Sequence, residues 1–323
     1  MTDNYYGKYD IEAAKVLNSF LPNEIFDAHM HITNFPAFGR ESLSFDDYYK
    51  DAEVLFGKDR KIYANGIAMP DKKINTPKDR ESMVTYIKSE LDKHPDNVAE
   101  ILVCPDDTPE YIESQLSHPR IKGLKCYHMY AKRPDTFNAG IGEYLPESAW
   151  EVANKRGLAI TLHMVKNEAL AHPDNLAYIT EKAKKYPKAT LILAHAARSF
   201  AAWTAIENIE KVKHLENVVC DFGAVCESPA MIQCVKKLGS ERCMWGSDWA
   251  VSMLSGKCVS LGGTFYWING NDLRSFKSGT DLMPYVVGTE NLMAMKELSI
   301  LMDLTEREIE NIFSKTAKRI FSV

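Results

Sequence analysis

Eight short apolar runs recur along the chain, near residues 24–30, 61–69, 98–104, 121–127, 158–163, 190–195, 217–222 and 242–246, bounded by Pro, Gly, Asn or Asp. Their length and β-branched content predict strands. Amphipathic segments separate them, such as NTPKDRESMVTYIKSELDKH, TPEYIESQLS, LPESAWEVANKRG, HPDNLAYITEKAKKYP and SPAMIQCVKKLG. Several carry a start signal (Thr108-Pro109, Ser228-Pro229) or a glycine stop (Gly157, Gly239). Strand and helix alternating in this way require a parallel sheet with right-handed crossovers, and eight such units close into a barrel. The sequence therefore predicts an α/β protein, a distorted (β/α)8 TIM barrel that takes up residues 1–323 as a single domain. Insertions follow strand 1, from Asn34 to Lys58, and strand 8, from Trp249 to Tyr285. Aromatics Phe265, Tyr266 and Trp267 in the second insertion predict an ordered segment, either an extra helix-turn packed on the barrel or a lid over a substrate.

The barrel sorts the histidines. Strand C-termini line the catalytic mouth of such a fold, whereas residues just ahead of a strand lie on the opposite, structural face. His94, His118 and His214 precede strands and read as packing or surface residues. His29 and His31 in FDAHMHI, His163 in LAITLHM, His195 in TLILAHA and Asp248 in CMWGSDW all end apolar runs and converge on the mouth. Within a strand, residues two apart share a face, so His29 and His31 can aim at one ion. His128 and His172 fall in loops just beyond strand ends, where a solvated histidine and a substrate contact are both open.

Three or four nitrogen and oxygen ligands with one open position describe a catalytic metal site. Such an ion lowers the pKa of bound water to near 7 and polarises a carbonyl, and a neighbouring carboxylate can take the proton. Imidazole and carboxylate ligands without thiolate predict one divalent ion, zinc first, with manganese, iron or cobalt as alternatives.

Composition limits the partners. Hydrophobic residues make up 45% and charged residues 26%, with a net charge of −5, which argues against nucleic acid and for a small-molecule substrate. The opening MTDNYYGKYD has neither a basic nor an apolar signal region, and no apolar stretch approaches 18 residues, so a cytoplasmic protein that does not span a membrane is expected. The 7 cysteines, with no C-x-x-C, read as reduced, buried small hydrophobes.

DAHMHI, the strand-terminal His163 and His195, WGSD, IKGLK and the C-terminal NIFSKTAKRIF together resemble the amidohydrolase superfamily, in its amidohydrolase-2 branch. The resemblance spans nearly the whole chain. It implies a metal-dependent distorted barrel and an activity among hydrolases of carboxylated substrates and non-oxidative decarboxylases such as aminocarboxymuconate semialdehyde decarboxylase. It further implies that His29, His31 and His163 are metal ligands, that Asp248 is the fourth ligand or the general base, and that His195 shuttles a proton or faces the substrate. Other branches bridge two metals through a carboxylated lysine at the end of strand 4, where Lys125 stands. Three positions depart from the branch: Arg198 follows the sixth-strand histidine, Trp249 and Ala250 follow GSD where a proline is common, and Tyr127 with His128 replaces a histidine directly after the lysine. Arg198, Lys125, His128 and Trp249 are accordingly the expected substrate contacts. Hydrolysis of a small carboxylated ester, lactone or amide is the first expectation, decarboxylation the second, and a catalytically silent ligand-binding barrel the third; a homodimer is an open alternative to a monomer.

Overall fold

The computed structural model describes residues 6–74, 76–270 and 284–323. Eight strands, β1 (Glu24–Ile32), β2 (Lys61–Ala68), β3 (Val98–Leu102), β4 (Ile121–Cys126), β5 (Ala159–Leu162), β6 (Thr190–Leu193), β7 (Val218–Asp221) and β8 (Cys243–Met244), pair in sequence order as one parallel sheet. Only two residues of the last apolar run are regular strand. The barrel closes on β1 beyond them: Ala28 donates its N–H to the Trp245 carbonyl (3.1 Å), Asp248 donates to the His29 carbonyl (2.6 Å), and Met30 bridges Trp249. The WGSD segment thus does the pairing of a missing strand end, which is the distortion of the barrel. Gly246 permits it, because a Cβ there would lie 2.6 Å from the Cβ of His29.

The crossover helices start and stop where the sequence marks them. Thr76 caps the helix Pro77–Lys93 by accepting from the Asp79 N–H, Thr108 caps Pro109–Gln115, and Gly157 ends Glu147–Arg156 with a φ of 67°. His172 is the N-cap of Pro173–Lys185, its Nδ1 accepting from the Asp174 N–H at 3.2 Å, which gives this loop histidine a structural task.

Strand alternation builds the barrel interior in layers. Phe26, Val98, Ala159, Ile192, Val219 and Met244 form an apolar layer with Ala317 and Phe321 of the C-terminal helix Thr316–Phe321, whose Phe321 ring stacks on Phe26 at 5.8 Å. Two residues further along their strands, Glu100, Thr161 and Asp221 start a polar layer on the same inward faces. Glu100 accepts from Asn65 (2.8 Å) and Thr161 (2.9 Å), and glycine at 123 leaves it room, since a Cβ there would meet the Glu100 Cγ at 2.7 Å. The candidate site residues lie beyond this layer, at and just past the strand ends.

The insertion after β1 contains the helix Phe45–Phe56. The insertion after β8 contains an antiparallel hairpin rather than a helix-turn, β9 (Gly256–Leu261) and β10 (Thr264–Asn269), joined by Gly262-Gly263 and anchored by the Trp203 indole N–H donating to the Gly263 carbonyl (2.9 Å). The later part of that insertion, residues 271–283, lies outside the described residues. All 7 cysteines are free and buried, and among the described residues no helix is long and apolar enough to cross a membrane.

Candidate metal centre and substrate cavity

The β1–β2 register slips between Asp27 and Met30, a bulge that turns the end of β1 toward the mouth. Asp27 locks this bend, one carboxylate oxygen accepting from the backbone N–H of His29 (3.0 Å) and of Ser247 (2.9 Å). Past the bulge, His29 and His31 point together at Asp248. His31 Nε2 lies 3.1 Å and His29 Nε2 3.6 Å from the same Asp248 oxygen, and all three side chains are buried. The other ring nitrogens are held from behind: His31 Nδ1 by the Ile67 carbonyl (3.3 Å) and His29 Nδ1 by Asp221 (3.0 Å). These three ligand atoms lie within 4.8 Å of one another, a buried N/O set without thiolate that fits a divalent ion of the zinc, manganese, iron or cobalt type.

His163 stands just past β5 and outside this compact group. Its ring lies 5.1 Å from that of His195 and 4.5 Å from that of Tyr127, on the wall of the same cavity. His195 follows β6 in a left-handed turn: His195, Ala196, Ala197 and Arg198 all have φ between 51° and 59° without a glycine among them. Each such residue costs roughly 1–2 kcal/mol, so the turn persists only because its surroundings hold it. Asp221 accepts the His195 N–H (3.0 Å), the Gly223 carbonyl takes His195 Nδ1 (2.8 Å), and Ser199 donates back to the His195 carbonyl (2.9 Å). Strain of this kind concentrates at functional sites, and here it aims His195 and Arg198 into one space.

That space is a cavity of about 430 Å³ lined by the five mouth residues together with Lys125, Tyr127, His128, Arg198 and an aromatic wall of Phe137, Phe200, Phe265 and Trp267. The hairpin therefore forms one side of the cavity through Phe265 and Trp267. Arg198 is buried, its guanidinium 5.0 Å from the Phe265 ring and donating to the Lys166 carbonyl (3.1 Å); among the described residues no carboxylate pairs with it. His128 lines the cavity with Nδ1 3.1 Å from the Thr136 hydroxyl. Lys125 reaches the cavity from its floor, not its rim: it is fully buried, with Nζ 3.5 Å from His29 Nε2. Trp249, expected to touch substrate, does not line the cavity. Closure of the barrel through Met30 and Trp249 turns the indole outward, where its N–H donates to Asp51 (2.8 Å) and its ring packs on Tyr48 and Arg40.

The electrostatics divide the site. Burial raises the Asp248 carboxyl, but the His31 hydrogen bond and the nearby imidazoles outweigh it and bring the group down to about 2, so it is a carboxylate at neutral pH. Burial lowers His29, His163 and His195, with Lys125 lowering His29 further, and the three rings are neutral donors of a lone pair. Burial and the Arg198 charge push His128 down to about 4. Below them, burial pushes Glu100 up to about 7 against the opposing charge of Lys125, and burial likewise lowers Lys125. Both groups are fully buried, and the charge of each partly offsets the effect of burial on the other.

Sequence reasoning missed Asp221 and Glu100. Both carried a readable signal, a charged residue at an inward position of a strand whose neighbours are apolar, since such a side chain is buried only with partners.

The amidohydrolase family model matches residues 26–323. Among solved structures, an amidohydrolase from Burkholderia multivorans with bound zinc superposes with a TM-score of 0.60 at 11% identity, covering 93% of this chain and 99% of that one. A protein assigned as a 2-pyrone-4,6-dicarboxylic acid hydrolase from Pseudomonas putida gives 0.56 at 13% identity, covering 94% and 98%. A 5-carboxyvanillate decarboxylase from Sphingomonas paucimobilis gives 0.55 at 12% identity, covering 94% and 100%. At these identities the likeness is one of fold. No curated protein matches the chain.

Proposed function

The chain belongs to the amidohydrolase-2 family, and from that premise we propose that it is a metal-dependent hydrolase of a small carboxylated substrate, cleaving an ester, lactone or amide. The observation that carries this reading is one cavity holding both the His29–His31–Asp248 group and a buried Arg198 that no described carboxylate neutralises. A buried cation without a counter-charge is costly, and a substrate carboxylate supplies one.

His29, His31 and Asp248 would hold the ion, and His163, outside that compact group, lines the same cavity. A divalent ion there supplies Lewis acidity toward a carbonyl and toward water. Asp248, ionised and facing the cavity, accepts the proton of the attacking water and returns it to the leaving oxygen or nitrogen. His195, whose Nδ1 donates to the Gly223 carbonyl, presents the lone pair of Nε2 to the cavity, where it accepts a hydrogen bond from the water or from a substrate N–H or O–H. Arg198 fixes the carboxylate, His128 is a neutral hydrogen-bonding neighbour, and Phe200, Phe265 and Trp267 exclude water from the apolar body of the substrate. Zinc is the ion we assign first, and the protein works on a small molecule without nucleic acid.

The test screens aromatic and aliphatic carboxylated lactones, esters and amides against the metal-loaded protein, each beside its neutral methyl ester. Arg198→Ala is expected to weaken the acids about 10–100-fold, the worth of one charge-assisted hydrogen-bonding pair, and to leave the methyl esters nearly unchanged. Equal weakening of both classes removes Arg198 from substrate binding. Carbon dioxide release with solvent deuterium on the product carbon would replace hydrolysis by decarboxylation.

A further inference from the structure

We propose that Asp221 is the positioning residue of this site: one carboxylate sets the tautomer of His29 and pins the turn that delivers His195 and Arg198. The proposal rests on the assignment of His29 as a metal ligand.

Asp221 ends β7 and is fully buried. One oxygen, Oδ2, lies 3.0 Å from His29 Nδ1. The other, Oδ1, accepts the backbone N–H of His195 and of Gly223, each at 3.0 Å. An ionised carboxylate has no proton to give, so the hydrogen of the His29 bond sits on Nδ1 and the lone pair sits on Nε2. It is Nε2 that faces Asp248 Oδ1 at 3.6 Å. The opposite tautomer would point an N–H at the place where an ion binds. Histidine ligands oriented in this way by an outer carboxylate lose affinity when it is removed.

The second oxygen does different work. The turn from His195 to Arg198 has four successive positive φ values on residues with a Cβ, and Oδ1 takes the N–H at its first residue. Gly223 shares that oxygen and fits closely over the site, a Cβ there meeting Asp221 Oδ1 at 3.3 Å, the Asp248 Cβ at 3.4 Å and His195 Nδ1 at 3.5 Å. One side chain therefore couples the end of β1, where the ion is held, to the turn after β6, where substrate is held.

The experiment uses Asp221→Asn in the full-length protein. The amide oxygen can keep the two backbone bonds, while the amide NH2 faces His29 Nδ1 and, being a donor, drives the ring proton to Nε2. The expected result is a cooperative unfolding transition close to that of the parent, a fall of 10–100-fold in zinc affinity measured by chelator competition, and a switch of the His29 ring nitrogens in 15N NMR of metal-free protein at a pH where imidazole is neutral. A purely structural role for Asp221 would lower the melting temperature and leave the His29 tautomer and the zinc affinity in place, and that result overturns the proposal. So would a parent protein whose His29 carries its proton on Nε2. Failure of the ligand assignment is read separately, from full zinc retention in the His29→Ala plus His31→Ala variant.

Discussion

At the scale of single residues, Asp248 carries the most consequence, because it is both part of the candidate ligand group and the carboxylate we propose as the proton carrier. Asp248→Asn keeps the size and the backbone bonds of the WGSD turn and removes the base. Turnover is expected to fall at least ~10²-fold with the fold intact by circular dichroism; turnover within a few-fold of the parent would transfer the proton to His195. The sequence made the five mouth residues legible because each ends an apolar run, and a barrel converts that position into a direction. It did not reveal that Trp249 points away, since the orientation of a residue past β8 depends on how the WGSD segment closes against β1. Nor did it reveal Asp221, whose role comes from three partners distant in sequence, on β1, after β6 and within its own loop.

At the scale of elements, helix caps and strand runs were readable in the sequence, whereas the left-handed turn after β6 was not. Ala-His-Ala-Ala-Arg has ordinary right-handed helix formers, and the tertiary bonds to Asp221 and Gly223 override that preference. Elsewhere, tertiary contacts between elements are open to simple titration. Glu147 opens the helix Glu147–Arg156 and accepts hydrogen bonds from Lys182 (2.5 Å) and Lys185 (2.5 Å) at the end of the helix Pro173–Lys185, and from the Tyr186 hydroxyl just beyond it. Burial alone would raise this carboxyl, but the bonds to Lys182, Lys185 and Tyr186 prevail and bring it from 4.5 to about 2. A folded-state value below the unfolded one gives stability that is complete above pH 4.5 and is lost as pH falls toward 2. Glu147 is partly exposed, so screening reduces the effect to about 1 kcal/mol. Denaturant melts between pH 5 and pH 2 should show a shallower loss of stability in Glu147→Gln than in the parent, and parallel curves would contradict the coupling of these two helices.

For the whole molecule, the alternation of eight apolar runs with amphipathic segments was enough to predict the barrel, since few other architectures accept that order. The hairpin β9–β10 was legible only as an ordered, aromatic insertion. Its strand form depends on the Gly262-Gly263 turn and on the anchor from Trp203, and its side chains Phe265 and Trp267 form part of the cavity wall at the barrel mouth. Fold, layered interior and strained turn bring His29, His31 and Asp248, a group that could hold a metal ion, and the buried Arg198 to the lining of one cavity. The most direct test is metal analysis of purified protein after dialysis against excess zinc and removal of the free ion. One zinc per chain is expected in the parent and background levels in the His29→Ala plus His31→Ala variant; near-stoichiometric zinc retained in that variant, with its fold intact, would contradict the assignment of His29 and His31 as metal ligands.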